Sequence, residues 1–542
     1  MPIETVQTQP IAGQKPGTSG LRKKTRVFMG HHFLENFVAA IIRGTGGAEG
    51  KTYVLGGDGR YFSKPAAQVI LRMLAAEGAE RVIVGKDALL STPAASNLIR
   101  QRGTDGGFIL SASHNPGGPD EDFGVKFNMP NGGPAPEEVT NRIFVATQDI
   151  ADYRIAVAED VDLGTLGEHP LGAMMVEVVD PVAAYADLME GLFDFDALRG
   201  IIEDGFRIRF DAMHAVTGPY AKEILENRLG APEGTVVNGT PSEDFGKGHP
   251  DPNPVWAKDL MDAMFAEGAP DFGAASDGDG DRNMIVGRGQ YVTPSDSLAV
   301  LAANAHLAPG YADGLKGAAR SMPTSRAVDR VAAARGMDCY ETPTGWKFFG
   351  NLLDAGRVTI CGEESAGTGS DHVREKDGLW AVLLWLNVLA ARKKSVAEVM
   401  QDHWATYGRN WYSRHDYEGV DTEAAEGLMR SLRSRLPDLP GETVAGRTVE
   451  TVDEFSYHDP VDGSTSSGQG IRIGLEGGGR IVYRLSGTGT EGATLRVYLE
   501  DLQEEGPFEG DPQDALAPVI EAARALASIR TATGRDAPDV IT

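Results

Sequence analysis

Three times along the chain short β-rich runs alternate with stretches of helical periodicity, and this recurrence constrains the fold more than any other feature. Thr52 to Leu55, Ala66 to Ala76, Arg81 to Val84 and Gly107 to Leu110 set the rhythm. Ile208 to Asp211, the helix-like Pro219 to Leu229 and the strand Phe272 to Ser276 repeat it, as do Gly336 to Glu341 and Val358 to Cys361. Such alternation predicts α/β units with covered sheets. The last part differs: Thr448 to Phe455, Gly470 to Leu475, Arg480 to Leu485 and Thr494 to Leu499 follow in quick succession before a closing helix from Asp514 to Ile529. The expected fold class is α/β, with three α/β domains in series plus a separate C-terminal α+β domain. Boundaries are expected at 1–188, 189–303, 304–408 and 409–542, with linkers near Asp187 to Asp196, Ala303 to Gly314 and Gly408 to Asp416. A chain of 542 residues is long enough for several such domains.

Composition removes some function classes. A net charge of −27 argues against nucleic acid as a partner, because phosphate backbones are attracted by basic surfaces. The longest apolar run, Ala381 to Ala391, is interrupted by Asn387 and reads as a buried helix, so no membrane role is expected. The polar N-terminus shows no secretory pattern, which points to a cytoplasmic protein. Cys339 and Cys361 have no metal-type spacing and read as packed thiols.

The sharpest chemical signal is Ser276-Asp-Gly-Asp-Gly-Asp-Arg282, directly after an apolar strand. Asp277, Asp279 and Asp281 in so tight a turn repel one another unless a cation is bound, and hard oxygen ligands favour Mg²⁺ or Ca²⁺. An EF-hand loop is excluded, since the positions that loop needs as Gly and Glu hold Arg282 and Arg288. The alternative is a solvated acidic turn. Three carboxylates leave Mg²⁺ open positions, for which a phosphoryl oxygen is a common ligand. Arg282 either pairs with a neighbouring carboxylate or reaches that phosphoryl group.

Ser113 lies in Gly106-Gly-Phe-Ile-Leu-Ser-Ala-Ser-His-Asn-Pro-Gly-Gly118, on a turn after an apolar strand and beside His114. It is a candidate nucleophile or phosphate carrier, with a plain Ser/Asn turn as the bland alternative. The run Gly487-x-Gly489-x-x-Gly492 matches a dinucleotide fingerprint by letter but sits between two strands, so it reads as a hairpin loop. Ser486, Thr488, Thr490, Arg484 and Arg496 there suit a phosphate. Glu363 and Ser365, with Arg374 and Lys376 nearby, suit sugar hydroxyls, and Lys15-Pro-Gly-Thr-Ser-Gly-Leu-Arg22 combines hydroxyls with cations.

These segments, together with Gly56-Gly-Asp-Gly-Arg-Tyr61, Phe123-Gly-Val-Lys-Phe-Asn128 and Pro343-Thr-Gly-Trp-Lys347, resemble the α-D-phosphohexomutase superfamily in order and register over nearly the whole chain, most closely its phosphoglucomutase branch. The resemblance implies three related α/β domains in series plus a C-terminal α+β domain around a central cleft, and that Ser113 carries a phosphoryl group. It also implies that Asp277, Asp279 and Asp281 hold Mg²⁺ with a phosphoserine oxygen, and that Glu363 and Ser365 hold sugar hydroxyls. Thr344 and Gly345 resemble the loop that orients the sugar. Ser486, Thr488, Gly489, Thr490 and Arg496, with Arg484, resemble the distal phosphate clamp, while Thr18, Arg22, Arg282 and Lys376 are carried over as ligand contacts.

The implied reaction interconverts glucose 1-phosphate and glucose 6-phosphate, with glucose 1,6-bisphosphate as intermediate and activator, in a monomer whose partner is a small-molecule phosphosugar. Lys126 resembles the family's base and His114 is its rival; an amine base needs a lowered pKa, expected from nearby cations. Rival readings are a mannose or pentose phosphate mutase, a catalytically silent phosphosugar-binding protein and a phosphatase. Ser111 stands where Thr is common, Ala366 where Phe often follows Glu-Glu-Ser, and Thr490-Glu491 also departs from the family pattern.

Overall fold

The computed structural model describes residues 1–17, 19–489 and 492–542, with the backbone alone at 487–489. Its contacts divide the chain into two compact units: Met1–Ser297, Ala303–Lys316 and Gly345–Ala397 form the first, and Leu298–Ala302, Gly317–Thr344 and Glu398–Thr542 the second.

In the first unit a seven-stranded sheet runs in the order Leu21–Lys24, Asp122–Asn128, Gly107–Leu110, Thr52–Gly57, Arg81–Leu89, Met174–Val179, Gly167–Leu171. Four central strands are parallel, and the flanking ones pair antiparallel. The central strands are apolar on both faces because helices cover them. Thr52–Gly57 is buried from its second residue, and helices Phe33–Gly44 and Ser63–Ala76 turn Phe37, Ile41, Ile70 and Leu74 into the same core. A five-stranded sheet follows, ordered Val236–Val237, Ile208–Asp211, Phe272–Ser276, Asn283–Gly287, Gln290–Val292. Its first three strands are parallel and its last two antiparallel, so the chain reverses between Ser276 and Asn283 in a six-residue turn. The hairpin Ile360–Glu363 and Gly367–Ser370 completes the unit's strands that matter to the site.

Behind that hairpin lies helix Gly378–Arg392, buried without interruption from Gly378 to Ala390. A helix apolar all round must be enclosed on every side. Its few polar atoms are matched: Trp380 Nε1 donates to Tyr311 Oη (2.7 Å), Trp385 Nε1 to Ser297 Oγ (2.8 Å), and Asn387 Oδ1 accepts from the Asp194 amide (2.9 Å). Asp377 caps its first turn through Trp380 N and also accepts from Tyr185 Oη (2.6 Å).

The second unit is built on an antiparallel sheet ordered Thr443–Val444, Arg447–Glu454, Ile471–Leu475, Gly479–Gly489, Gly492–Gln503, Arg409–Val420, Val540–Ile541. Helices Thr422–Arg435 and Ala517–Leu526 pack Leu428, Leu432, Val519 and Leu526 onto it. The parallel strands Gly317–Ser321 and Asp338–Thr342 belong to this unit. They are tied in by Arg480, which donates to the carbonyls of Met322 (2.9 Å) and Thr324 (2.7 Å).

Three expectations fail locally. The segment Asp187 to Asp196 is not an open linker: helices Ala183–Leu192 and Phe195–Glu203 meet at a two-residue break where Asp194 caps Ala197 N (3.0 Å). Gly408 to Asp416 is mostly strand, because Arg409–Val420 buries Trp411, Ser413, His415 and Tyr417 in alternation, and two of those four are polar residues that conceal the period-two pattern. The closing helix is broken into Pro512–Ala515, Ala517–Leu526 and Ile529–Thr533, with Ser528 left-handed at the second break (φ +48°).

The enclosure of helix Gly378–Arg392 makes a stability prediction. Leu384→Ala leaves a cavity no neighbour can fill from solvent, and it is expected to cost about 2–5 kcal/mol, read as a lowered urea midpoint.

Candidate functional site

Ser113 is presented by an unusual backbone. The strand Gly107–Leu110 ends, and three residues on Ser113 adopts φ +54°, a left-handed conformation that a non-glycine residue holds only when its surroundings impose it. Two contacts impose it. The Ser113 amide donates to Ser111 Oγ (2.7 Å), so Ser111 keeps the hydroxyl that a threonine there would supply. The Ser113 carbonyl accepts from Arg60 Nη2 (2.7 Å). Arg60 is wholly buried, pairs with the equally buried Asp58 (2.9 Å), donates to the Asp122 carbonyl (2.8 Å) and lies over the Phe245 ring. This buried pair satisfies the desolvation demand by filling the fork of Arg60 with fixed acceptors. The turn Gly56 to Tyr61 is thus the support of the serine loop.

The acidic turn meets that loop directly. Asp277, Asp279 and Asp281 are all buried, and one oxygen from each lies within 4.8 Å of the others. Asp277 Oδ1 accepts from the amides of Asp281 (2.9 Å) and Arg282 (3.0 Å), while Oδ2 accepts from Ser113 Oγ (3.1 Å), across 164 residues of chain. Asp279 Oδ2 accepts from Thr92 Oγ1 (2.7 Å) and Lys126 Nζ (3.0 Å). Its Oδ1 is buried with no hydrogen-bond partner among the described residues. Asp281 Oδ1 lies 3.1 Å from Lys376 Nζ without hydrogen-bond geometry. The approach requires Gly278: a Cβ there would stand 2.4 Å from the Ser113 carbonyl oxygen.

Burial and the neighbouring Asp279 and Asp281 push the Asp277 carboxyl well above its usual range. Asp279 is held below its usual range although burial opposes this, because Lys126 and Thr92 favour the charged form. An orphaned buried carboxylate oxygen within a cluster of hard oxygen donors fits a divalent cation.

The two candidate bases sit in opposite fields. Burial alone would lower the Lys126 amine, but Asp279, Glu375 and Asp281 outweigh it and hold it above its ordinary value. The expectation that nearby cations lower it is therefore corrected, since the side chain faces carboxylates. His114 Nδ1 stands 3.4 Å from Ser113 Oγ. Burial, then Arg282, Arg22 and Lys376, keep the His114 imidazole well below its ordinary value and so neutral near pH 7. Those three cations all lie close enough to act on His114, which neighbours Ser113, so the field there favours an anion. Asp251 approaches Arg282 Nη1 at 3.9 Å.

The Glu363 loop is fastened to the same place. Glu363 ends its strand and accepts from the Gly345 amide through Oε1 (2.9 Å). Past Ser365, the Ala366 carbonyl accepts from Asn283 N (3.0 Å) and Nδ2 (3.2 Å), and Gly367 bridges to Arg282. Thr344 Oγ1 is buried and without a partner among the described residues. Arg484, Ser486 and Arg496 lie in the second unit: Arg484 Nε donates to the Gln469 carbonyl (3.1 Å), Ser486 faces Thr494 across the hairpin, and Arg496 Nε is 3.7 Å from Asp416 Oδ2. Thr18 and Thr490 lie outside the described residues, as do the side chains of Thr488 and Gly489.

Sequence reasoning missed Thr92 and Glu375, and gave Asp58 and Arg60 no role. Thr92 carries no visible signal, because Ser91-Thr-Pro reads as a helix cap, and Ser91 does cap Ala94 N (3.3 Å). Glu375 is hidden among surface-type charges, yet it is buried and accepts from Asn128 Nδ2 (2.9 Å).

Comparison with known proteins gives the following. Profiles described as phosphoglucomutase/phosphomannomutase α/β/α domains I, II and III match residues 13–154, 183–290 and 294–407, and a phosphoglucomutase-1 C-terminal domain profile matches 409–539. A phosphoglucomutase of Rhizobium radiobacter is 58% identical over 541 residues, covering all of both chains. Phosphoglucomutase-1 of Oryctolagus cuniculus is 50% identical over 560 residues, again covering both chains in full. The open form of the phosphoprotein pp63/parafusin, a phosphoglucomutase from Paramecium, superposes with a TM-score of 0.93 at 46% identity, over 100% of this chain and 99% of that one.

Burial pushes the Glu375 carboxyl up to about 7, against the pull of Lys126. The folded chain therefore holds a proton there that the unfolded chain releases near its ordinary 4.5, so stability falls as pH rises from 4.5 through about 7. In metal-chelated protein, Glu375→Gln is expected to gain on the parent over that window by roughly a few kcal/mol in denaturant titrations. A difference independent of pH would refute the assignment.

Proposed function

The chain belongs to the phosphoglucomutase/phosphomannomutase family, and from that premise we propose that a phosphorylated Ser113 is the group through which it interconverts glucose 1-phosphate and glucose 6-phosphate. The observation that carries this reading is the 3.1 Å contact between Ser113 Oγ and Asp277 inside the buried carboxylate cluster.

In the forward direction the free 6-hydroxyl of glucose 1-phosphate attacks the phosphorus of phosphoserine, its O–P bond forms, and the bond to Ser113 Oγ breaks. The product is glucose 1,6-bisphosphate with Ser113 free. After the bisphosphate turns over, Ser113 Oγ attacks the phosphoryl group at carbon 1, releasing glucose 6-phosphate and restoring phosphoserine. The same bisphosphate, bound from solution, recharges a chain that has lost its phosphate and so acts as activator.

Asp277, Asp279 and Asp281 would hold Mg²⁺ together with a phosphoserine oxygen. That ion supplies neutralisation of the charge on the transferring phosphoryl group. Arg22, Arg282 and Lys376 bind the same anion from the side of His114. Glu363 and Ser365, with Gly345 and Thr344, orient the sugar hydroxyls. Arg484, Ser486, Thr488, Gly489, Thr490 and Arg496 are assigned to the substrate's other phosphate, an assignment supported for the 484–496 hairpin by the matched C-terminal profile, and Thr18 is assigned as a further substrate contact.

Each transfer moves a proton from the attacking hydroxyl to a base. His114 is already neutral and 3.4 Å from Ser113 Oγ. Lys126 must first shed its proton, which charge neutralisation of Asp279 and Asp281 would favour. A cytoplasmic monomer is part of the same proposal.

Ser113→Ala is expected to lower turnover of glucose 1-phosphate at least about 10³-fold in a coupled assay, and to abolish phosphate uptake from glucose 1,6-bisphosphate by intact mass. Full activity in that variant would sink the reading. Chelation should silence the parent and Mg²⁺ restore it. Of His114→Gln and Lys126→Met, the one that removes the base should lose about 10²–10⁴-fold in kcat, and the other far less.

A further inference from the structure

Asp279 and Asp281 are each engaged by the protein through one carboxylate oxygen, whereas Asp277 is engaged through both, its Oδ2 accepting from Ser113 Oγ (3.1 Å). Asp277 uses Oδ1 for two backbone amides, Asp281 turns Oδ1 to Lys376, and Asp279 gives Oδ2 to Thr92 and Lys126. Of the two side-chain donors to Asp279, Thr92 is the neutral one, and it comes from an element with no part in the chemistry, the first turn of helix Thr92–Arg102.

Thr92 holds Asp279 at two points. Its hydroxyl donates to Oδ2 at 2.7 Å and its amide donates to the Asp279 carbonyl at 2.9 Å. The threonine is wholly buried, so no water competes for the carboxylate. The helix start is itself fixed: Ser91 caps it, the Ser91 amide donates to Tyr220 Oη (3.1 Å), and a Cβ on Gly280 would stand 3.3 Å from Ser91 Cβ, so the acidic turn packs against it. The result is that Oδ2 of Asp279 is occupied by protein donors, while its buried Oδ1 has no hydrogen-bond partner among the described residues.

We propose that Thr92 is a positioning residue of the cation site, which sets Asp279 as a one-oxygen ligand and thereby favours a small cation with strict octahedral demands over a larger one. A carboxylate free to swing can offer both oxygens, which suits Ca²⁺; one pinned through Oδ2 offers a single oxygen, which suits Mg²⁺. This inference rests on the reading of the triplet as a cation site.

The test is binding of Mg²⁺ and Ca²⁺ to the full chain, measured by calorimetry and by the rise in thermal unfolding midpoint with each ion. Thr92→Val keeps the shape and removes the donor, and Thr92→Ser keeps the donor. The valine variant is expected to lose about 10–100-fold in Mg²⁺ affinity and less in Ca²⁺ affinity, with the serine variant within about twofold of the parent. If valine does not fold there, Thr92→Ala removes the same hydroxyl and carries the same expectation. The proposal is overturned if the donor-less variant binds Mg²⁺ as the parent does, if both ions weaken equally, or if serine falls as far as valine. Failure of the parent itself to bind either ion would overturn the cation reading, a separate outcome.

Discussion

Three carboxylates buried within 4.8 Å of one another are a source of repulsion that the surrounding structure is arranged to contain. Without compensation, desolvation and mutual charge would protonate them or open the turn. The compensation is distributed: two amides of the turn itself serve Asp277, Thr92 and Lys126 serve Asp279, and Lys376 serves Asp281. These partners come from the strand Asp122–Asn128, the helix start at Thr92 and the loop before helix Gly378–Arg392. The acidic turn is therefore the point at which three distant stretches of the first unit have to meet.

A second buried charge works on the opposite loop. Arg60 gives its guanidinium to Asp58 and to the carbonyls of Ser113 and Asp122, which holds a left-handed serine in place at the mouth of a strand. Strain at that serine is sustained by contacts from a different turn, as persistent backbone strain generally requires. Ser113 and the carboxylates are thus each held by contacts from elsewhere in the first unit, and Gly278 lets the two loops approach to a distance no side chain would permit. Pre-organisation of this kind suits phosphoryl transfer, where the protein mainly supplies position and charge.

Much of this could be read from local sequence. The strands before Ser113 and before Asp277 were legible because each is an apolar run ended by turn residues, and the α/β order followed from their alternation. The strand Arg409–Val420 was not, because Ser413 and His415 occupy inward positions normally marked by apolar residues. Thr92 was invisible because a threonine after a capping serine has a sufficient local explanation. The charge state of Lys126 was misjudged because its carboxylate neighbours, Asp279 and Glu375, lie far away along the chain.

The amino-acid order by itself determined which chemical groups exist and how each is presented: an acidic turn, a serine at a strand end, cations beside glycines. Those are consequences of short-range geometry, which neighbouring residues dictate. Only the tertiary structure decided which carboxylate oxygens are occupied, which of His114 and Lys126 is neutral, and which cations act on His114. The reason is physical: hydrogen bonding, burial and charge act through space over a few ångströms, and the partners that settle those questions are separated by up to 164 residues of chain in the contact of Ser113 with Asp277.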